Sequence, residues 1–534
     1  MKSISLAEQY RGRQMLITGT TGFLGKVLLT MVLDRFPEIG KVYVLVRKKK
    51  PQTAKQRFEV MASYSPAFGP LHEAFESELS DYLSRRVEVL EGDVSLPNLG
   101  LDANTASRVQ ENLDLFVNSA GLVDFDPDPR DALSTNVEGA LNVLEFVRQC
   151  PKARLLHIST CYVAGNRSGA VHETLTPNYC PSGQPFDAER EYREIYERIE
   201  AVAKSLDGDT EMNQIRAAVL KKMTERGTDT SDYNLFNHFV QREKKKTLKR
   251  KLVEMARRRA DELGWPNIYT YSKSLSESLL LARAGDVPFS VLRPAIVESA
   301  QAFPFPGWNE GFNTCGPIVA VLGSWWRHCP CDPTAALDVV PVDTVCNAML
   351  IAGAALLRNE HHPVYQLATS STNPISMERA VELCTLTHRR DLRQKGKSGV
   401  DRLVRSRFDA ITTEGGLFYD VGALRSMLGK LSGWLDELPE TLPDDWKKRA
   451  EKARQMTTVA DRQLGIVKKI FDTFKPFVEL NKPVFLASNI ESHSILEHEE
   501  FSVDTRRLDW RDYWMNVHQP GLNKWCLPVL QGKS

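Results

Sequence analysis

The sequence lacks any long apolar run. Its longest apolar stretches, Ile318–Trp326 and Val345–Leu357, are shorter than the roughly 18–20 residues that a membrane-spanning helix needs. The amino-terminal residues MKSISLAEQYRGR are polar and lack the apolar core of a secretory signal peptide. We therefore expect a soluble, cytoplasmic protein without a transmembrane span, and the sequence leaves peripheral contact with a membrane open.

Paired cysteines and a one-sided charge are also absent. The nine cysteines show no paired spacing, and the closest two, Cys329 and Cys331, form a C-P-C triplet that is unusual for zinc. We expect nine reduced thiols and no metal site, since His493 and His498 are not accompanied by paired cysteines. Lysine and arginine total 69 against 68 acidic residues, which gives a net charge of +1. That balance argues against a nucleic-acid-binding protein that relies on a global basic field.

What the sequence does contain, near its start, is a glycine-rich turn. The segment TGTTGFLGK, Thr18–Lys26, lies between a predicted strand at Arg13–Ile17 and a predicted helix at Phe23–Val32. Such a turn bends tightly at its first glycine, approaches a pyrophosphate at its second and packs closely at its third. The helix N-terminus then directs free N–H groups at the phosphates. This context favours dinucleotide binding over a plain surface turn, with contacts from Gly19, Thr20, Thr21, Gly22, Phe23, Leu24 and Gly25.

Basic residues follow the second predicted strand, Val42–Val46. Enzymes that prefer NAD place a carboxylate here for the 2′-hydroxyl of the adenosine ribose, whereas this chain has Arg47 and then Lys48. A guanidinium and an ammonium suit the 2′-phosphate of NADP. We predict NADPH (NADP+) as the cofactor, bound by Arg47 first and Lys48 second, and a solvated basic loop is the alternative.

Small and polar residues follow each of the next three predicted strands. Val87–Leu90 precedes Asp93 and Val94, Leu115–Val117 precedes an Asn-Ser-Ala-Gly run, and Leu155–Ile158 precedes a Ser-Thr pair. The βαβαβ rhythm predicts a doubly wound parallel sheet of Rossmann type, which binds ligands at the carboxyl edge of its strands. We expect that edge to carry Asp93 as an acceptor for the adenine amino group, together with Val94, Asn118, Ser119, Ala120, Gly121, Ser159 and Thr160.

A tyrosine and a lysine that can carry out chemistry lie further along, in NIYTYSKSLSESLLL. Tyr269 and Lys273 are four residues apart and share one face of a helix. An ammonium near a phenol lowers the pKa of that phenol, and such a tyrosine can donate a proton to a substrate oxygen as hydride arrives. Thr160 or Ser159 can hydrogen-bond the same oxygen. Tyr271 is a less suitable phenol, because it lies on a different helix face from Lys273.

The whole set resembles an extended short-chain dehydrogenase/reductase, in the motifs TGTTGFLG, GDV, NSAG, TNVEG, HISTCYV, YTYSK and VLRPAIV. Within that class the sequence is similar to the fatty acyl-CoA reductase family. Three stretches carry this likeness: VLRPAIVESAQAFPFPGWNEG (Val291–Gly311), DVVPVDTVCNAML (Asp338–Leu350) and DWRDYWMNVHQPGLNKWCL (Asp509–Leu527).

The resemblance implies an NADPH-dependent enzyme that reduces a long-chain acyl thioester, on CoA or on a carrier protein, to the fatty alcohol through a bound aldehyde. Tyr269 and Thr160 would support the oxyanion, and Lys273 would hold the nicotinamide ribose and tune Tyr269. The cofactor cleft would also be lined by Asn118, Asn136, Pro294, Ala295 and Ile296. Alternatives are release of the aldehyde, a related dehydrogenase or epimerase acting on a sterol or sugar nucleotide, and a non-catalytic NADP-sensing protein.

The resemblance and the composition together predict two domains. Residues 1–375 form the NADP-binding domain, with a helical insertion at about 176–266, and residues 376–534 form a mainly helical domain that covers the acyl site. The insertion contains three predicted helices at Ala188–Ala203, Met212–Arg226 and Tyr233–Leu263. The apolar segment Gly311–Trp326 forms either an acyl tunnel wall or ordinary core. The sequence does not predict the oligomeric state.

A basic segment stands out within the insertion. Between Arg242 and Ala260, ten of nineteen residues are lysine or arginine, and Leu248, Leu252 and Met255 form a thin apolar stripe. Three interpretations are open: a solvated helix face, a grip on CoA phosphates or on an acidic carrier protein, and contact with an anionic membrane surface.

Overall fold

Thirteen strands occur in the part of the chain that the structure describes. The computed structural model describes residues 3–311, 315–324, 326–394, 409–413, 421–436, 443–478 and 481–530. The strands are β1 (Gln14–Thr18), β2 (Lys41–Val46), β3 (Val87–Glu91), β4 (Leu115–Asn118), β5 (Arg154–Ile158), β6 (Gly169–Val171), β7 (Phe289–Pro294), β8 (Ile296–Glu298), β9 (His328–Pro330), β10 (Val339–Pro341), β11 (Val364–Leu367), β12 (Ile411–Thr413) and β13 (Pro483–Phe485).

Seven of these strands pair in parallel to form the central sheet, in the order β11-β7-β5-β4-β1-β2-β3. The order reverses between β1 and β4, and a doubly wound sheet opens its ligand crevice at this point. In β4 and β11 every residue is buried, as expected for strands covered on both faces. The predicted Rossmann-type parallel sheet is therefore confirmed. Three small parallel pairs lie outside it, namely β8 with β10, β9 with β12 and β6 with β13.

Helices cover both faces of the sheet. Several begin at a capping side chain; Asn267, for example, accepts from the Thr270 N–H in the first turn of the helix that starts at Ile268. The helices are α1 (Leu6–Tyr10), α2 (Phe23–Arg35), α3 (Ala54–Tyr64), α4 (Gly69–Phe75), α5 (Leu79–Arg86), α6 (Ala103–Asn112), α7 (Pro129–Ala132), α8 (Gly139–Arg148), α9 (Ala188–Ser205), α10 (Asp209–Glu225), α11 (Tyr233–Glu262), α12 (Ile268–Arg283), α13 (Cys315–Leu322), α14 (Val342–Leu357), α15 (Met377–Gln394), α16 (Val421–Asp436), α17 (Asp444–Val478), α18 (Ser488–Glu491), α19 (Trp510–Asp512), α20 (Gln519–Gly521) and α21 (Leu527–Leu530).

The insertion folds as the three predicted helices, α9, α10 and α11, with ends that shift by a few residues at most. Asp187 and Asp232 cap α9 and α11, because each carboxylate accepts from a backbone N–H of the first turn. The inner sides of α10 and α11 bury a small apolar core around Ile215, Val219 and Val240.

The carboxyl-terminal part is mainly helical, and it shares a core with residues that precede the predicted boundary at 376. One apolar cluster joins Val319 and Leu337 to Leu464, Phe471 and Trp514. The two-domain division stays a prediction. Among the described residues, no helix combines the length and the apolar character that crossing a bilayer requires.

Candidate active site

The carboxyl ends of β1, β3, β4, β5 and β7 meet at one continuous cleft of about 460 Å³. This volume falls within the roughly 300–1,000 Å³ that is typical of small-molecule sites. The cleft brings together most of the residues predicted from the sequence: Gly19, Thr21, Gly22, Phe23, Leu24, Gly25, Arg47, Asp93, Val94, Ser119, Ala120, Gly121, Ser159, Thr160, Tyr269, Lys273, Pro294, Ala295 and Ile296.

The glycine turn has the geometry of a phosphate cradle. Gly19 has a φ of +75°, and a Cβ at this position would lie 2.6 Å from the carbonyl oxygen of Ser119. A Cβ at Gly25 would overlap the carbonyl of Gly19, so only glycine lets α2 pack this closely. Gly22 caps α2 without a side chain, which leaves the first N–H groups of the helix available to an anion. Thr20 does not line the cleft: it is fully buried, and its hydroxyl has no hydrogen-bond partner among the described residues.

Two arginines lie at the end of the cleft predicted to hold the adenosine. Arg47 lies 3.9 Å from the Asp93 carboxylate, and Arg57 of α3 also lines the cleft while its guanidinium donates to the Arg47 carbonyl. The sequence prediction missed Arg57. The sequence feature that could have revealed Arg57 is the capping box of Thr53 and Gln56, because it starts α3 and places Arg57 in the first turn of that helix.

Lys48 and Asp93 differ in part from their predicted roles. Lys48 lies 3.5 Å from the carboxylate of Glu91 and is not one of the described residues that line the cleft. Asp93 lines the cleft, but its Oδ1 accepts from the N–H and the hydroxyl of Ser95, at 3.0 and 2.9 Å. Its contact with an adenine amino group stays a prediction.

Asn118 and Asn136, both predicted to line the cleft, are buried behind its wall in the described structure. The Asn118 Oδ1 accepts from the Thr18 hydroxyl at 2.7 Å, and this contact ties β4 to β1. Asn136 lies in a π-helical turn at Leu133–Glu138; its Nδ2 donates to the hydroxyl of Ser272 at 3.0 Å. Both amides therefore position the loops and the helix that form the cleft, because their polar atoms are already satisfied by the protein.

Tyr269, Thr160 and Ser159 meet at the centre of the cleft. Tyr269 is in the first turn of α12, where its N–H donates to the Phe125 carbonyl at 3.1 Å. A hydrogen bond joins the Thr160 hydroxyl and the Tyr269 phenol. Ser159 lines the cleft, and its buried hydroxyl has no hydrogen-bond partner among the described residues. These three groups form a set of donors that can converge on one carbonyl.

Lys273 lies one helical turn beyond Tyr269 and is buried. Its Nζ donates to the Ile158 carbonyl at 2.9 Å, and burial lowers the pKa of Lys273 to about 8. The prediction that Lys273 lowers the pKa of the phenol is not met: burial raises the pKa of Tyr269 to about 12, and the Thr160 hydrogen bond offsets this only in part. Desolvation of the phenolate is the stronger effect in this closed setting.

Tyr271 faces away from the cleft, as expected from its helix position. Its hydroxyl donates to the Glu191 carboxylate at 2.7 Å, within the core that α9 and α11 form. Burial and the negative charge of Glu191 raise the pKa of Tyr271 well above its ordinary value. Tyr271 thus serves to anchor α12 to the insertion.

The far end of the cleft is apolar and draws on segments that lie far apart in sequence. Phe474 and Phe477 of α17 line it with Phe125, at ring-centroid distances of 5.9 and 5.5 Å. Ile318 of α13 and Leu522 complete this wall. In segment 311–326, Cys315, Gly316 and Ile318 line the cleft, and residues 312–314 and 325 lie outside the described residues. That the segment forms an acyl tunnel wall stays a prediction.

A buried polar cluster borders the same wall. Potential ligand atoms of Glu298, Cys315 and His518 lie within 4.8 Å of one another. Burial and Glu298 raise the pKa of the Cys315 thiol well above its ordinary value, and Glu298 accepts from the N–H of Cys315 and the amide of Asn309. These contacts attach α13, and through His518 the carboxyl-terminal helices, to the cleft wall.

The doubly wound sheet, the glycine turn and the Thr160–Tyr269–Lys273 set define an extended short-chain dehydrogenase/reductase. The family model described as Male sterility protein matches residues 17–349. Fatty acyl-CoA reductase 8 of Arabidopsis thaliana is 30% identical over 96% of this chain and 97% of its own length, and the alcohol-forming fatty acyl-CoA reductase of Simmondsia chinensis is 26% identical over 97% and 98%. The chain belongs to the fatty acyl-CoA reductase family.

The fold has a solved counterpart as well. The terminal R domain of the myxalamid PKS-NRPS biosynthetic pathway superposes with a TM-score of 0.54 at 16% identity, over 97% of this chain and 91% of that chain. Membership of the family makes the protein an oxidoreductase with a nicotinamide cofactor.

Proposed function

We propose that the protein reduces a long-chain fatty acyl thioester to the fatty alcohol with NADPH, by way of an aldehyde that stays bound. The observation that carries this proposal is that Tyr269, Thr160 and Ser159 line the same cleft as the glycine turn and a wall of phenylalanines. A reductase needs its proton donor where the cofactor site meets the acyl site, because the hydride comes from the cofactor and the reacting carbon is at the end of the acyl chain. The similarity to the alcohol-forming reductase of Simmondsia chinensis supports an alcohol product.

The residues present fit NADPH. The glycine turn leaves space and free N–H groups for a pyrophosphate, and Arg47 and Arg57 together offer two guanidinium groups to a 2′-phosphate. Lys273 supplies an ammonium for the hydroxyls of the nicotinamide ribose. When bound, the cofactor supplies the hydride.

The first reduction needs stabilisation of an oxyanion. The Thr160 and Ser159 hydroxyls and the Tyr269 phenol donate to the thioester oxygen as its carbon accepts hydride, and burial strengthens these hydrogen bonds. The resulting thiohemiacetal breaks its C–S bond, so that the thiol leaves with a proton and an aldehyde remains.

The second reduction uses the same donors. A second hydride reaches the aldehyde carbon, and Tyr269 transfers its phenolic proton to the alkoxide to complete the alcohol. The Thr160 hydroxyl stabilises the phenolate that this transfer leaves, because its interaction with the phenol lowers the pKa of Tyr269. The apolar wall of Phe125, Phe474 and Phe477 holds the alkyl chain and disfavours a sugar nucleotide.

The experiment is an incubation of the purified protein with NADPH and palmitoyl-CoA, in which the loss of NADPH absorbance and the appearance of free thiol are followed together. We expect two NADPH consumed for each thiol released. A ratio of one would mean that the aldehyde is the product, and no thiol release would overturn the thioester assignment.

A further inference from the structure

The cations of the basic segment divide into two sets in the structure. Lys244, Lys251 and Arg259 form salt bridges with Asp207, Glu211 and Glu191, at 2.5, 2.8 and 2.5 Å, so they hold α11 to the rest of the insertion. A second set is exposed and, within the described residues, forms no salt bridge: Arg242, Lys245, Lys246, Lys249 and Arg250.

The second set forms a cationic face. Each of its five members lies three or four residues from another member, so they project from the same side of α11. Arg257 lies on this side too, roughly 22 Å from Arg242 at 1.5 Å per residue, and the packed side chains of Val253 and Ala256 separate it from Arg250.

The cationic face leads to the rim of the active-site cleft. The Arg257 guanidinium lies 3.8 Å from the carboxylate of Asp126, and the preceding residue, Phe125, lines the cleft and receives the Tyr269 N–H. The charge of Lys249 acts on Asp128 in the same rim loop. A partner on this face would therefore lie next to the loop that carries Phe125 into the cleft wall.

The apolar stripe of α11 does not lie on this face. Leu252 is fully buried, and Leu248 and Met255 pack against the same inner core. Insertion into a membrane interface needs apolar side chains beside the cations, and here those side chains are directed inward. The phosphates of CoA are confined to one nucleotide, whereas these cations are spread along about half of a long helix.

We infer that the cationic face of α11 docks an acidic acyl carrier protein, which presents its thioester at the rim beside Asp126. A row of carboxylates on a protein helix matches the length and the sign of this face, as electrostatic complementarity requires. The inference rests on the proposed thioester reduction and adds the kind of partner that delivers the substrate.

The test compares palmitoyl-carrier protein with palmitoyl-CoA as substrates of a variant that carries Lys245→Glu, Lys246→Glu, Lys249→Glu and Arg250→Glu. We expect KM for the carrier substrate to rise about tenfold or more with kcat retained, and KM for palmitoyl-CoA to change less than about twofold. A control with Lys447→Glu, Lys448→Glu, Arg449→Glu and Lys452→Glu, on the exposed start of α17, should leave both values unchanged. Salt should weaken use of the carrier substrate in the wild type but not in the variant.

Three results would overturn the inference. Equal increases in KM for both substrates would mean that the face binds the phosphates of CoA. An unchanged KM for both substrates would mean that the face is only solvated and binds no partner. Loss of binding to vesicles of anionic phospholipid, with KM for the carrier unchanged, would mean that the face binds a membrane.

Turnover of palmitoyl-CoA shows whether the variant is folded. A double variant of Lys245→Gln and Lys249→Gln should show a smaller rise in KM for the carrier substrate.

Failure of the proposed function is distinguishable from failure of the inference. If the wild type releases no thiol from either substrate, the thioester assignment fails. Fluorescence anisotropy of labelled carrier protein still measures docking, and an affinity that the four α11 changes leave intact would contradict the inference.

Discussion

Arg293 and Glu277 form a buried ion pair behind the active site. The Arg293 Nε lies 3.1 Å from the Glu277 Oε1, and Nη2 of the same arginine contacts the other carboxylate oxygen. Arg293 is the penultimate residue of β7, next to Pro294, which lines the cleft, and Glu277 lies one helical turn beyond Lys273 on α12. The pair therefore fixes the helix that carries the phenol and the ammonium against the strand that borders the cofactor.

Removal of one partner of this pair should destabilise the protein strongly. Glu277→Gln leaves the Arg293 charge buried without its counter-charge, which costs about 3–5 kcal/mol. Urea unfolding measures the change. The double variant Glu277→Leu/Arg293→Met should regain much of the loss, since no buried charge remains. A single change that costs under about 1 kcal/mol would show that the pair does not hold α12 in place.

Arg47 and Arg57 should set the preference for NADPH. Replacement of either by alanine removes a guanidinium from the predicted 2′-phosphate site, and KM for NADPH should rise about tenfold or more while turnover with NADH changes little. Lys48→Ala is the matched control and should have a smaller effect, because Lys48 pairs with Glu91 outside the cleft. Equal losses with both cofactors would mean that the arginines do not contact the phosphate.

Lys273 should make the free energy of unfolding depend on pH. Its pKa is about 8 in the folded protein against 10.5 ordinarily, because burial disfavours the ammonium. Between these values the unfolded chain binds the extra proton, so stability rises with pH across the window from about 8 to 10.5. The loss of stability caused by burying the Lys273 ammonium is fully present below pH 8 and amounts to about 3 kcal/mol.

The measurement for Lys273 is the difference in unfolding free energy between the wild type and Lys273→Met at pH 7, 8, 9 and 10. The difference should move in favour of the wild type as pH rises, because the methionine has no proton to lose. A difference that stays flat across this range would mean that Lys273 titrates normally.

The sequence predicts the sheet well, and the reason is local. The five predicted strands are found with ends within one residue, since each is a short apolar run that stops at small or polar residues. The three helices of the insertion are found for a similar reason: Gly208 and the Asp-capped turn at Asp232 interrupt a polar helical pattern. Strands such as β6 and β12 have three residues each, and nothing in so short a run signals pairing with a distant segment.

The site is predictable only where local sequence determines it. Gly25 and Tyr269 lie in recognisable motifs, whereas Phe477 reaches the cleft from a helix more than 200 residues away in sequence. Asn118 lies at the end of β4, as predicted, but its amide does not line the cleft. Its oxygen instead accepts from the Thr18 hydroxyl on the neighbouring strand β1. The pKa of Tyr269 likewise depends on how tightly the finished fold closes around the phenol, and a spacing of four residues carries no such information.

The central claim is that Tyr269 is the proton donor of an acyl thioester reductase, and a pair of conservative changes tests it most directly. Tyr269→Phe removes the hydroxyl in the cleft, whereas Tyr271→Phe removes one that faces Glu191. Thiol release from palmitoyl-CoA with NADPH should fall by a factor of about 100 to 10,000 in Tyr269→Phe, with NADPH binding retained, and stay near the wild-type rate in Tyr271→Phe. Full turnover by Tyr269→Phe, or an equal loss in both variants, would contradict the account.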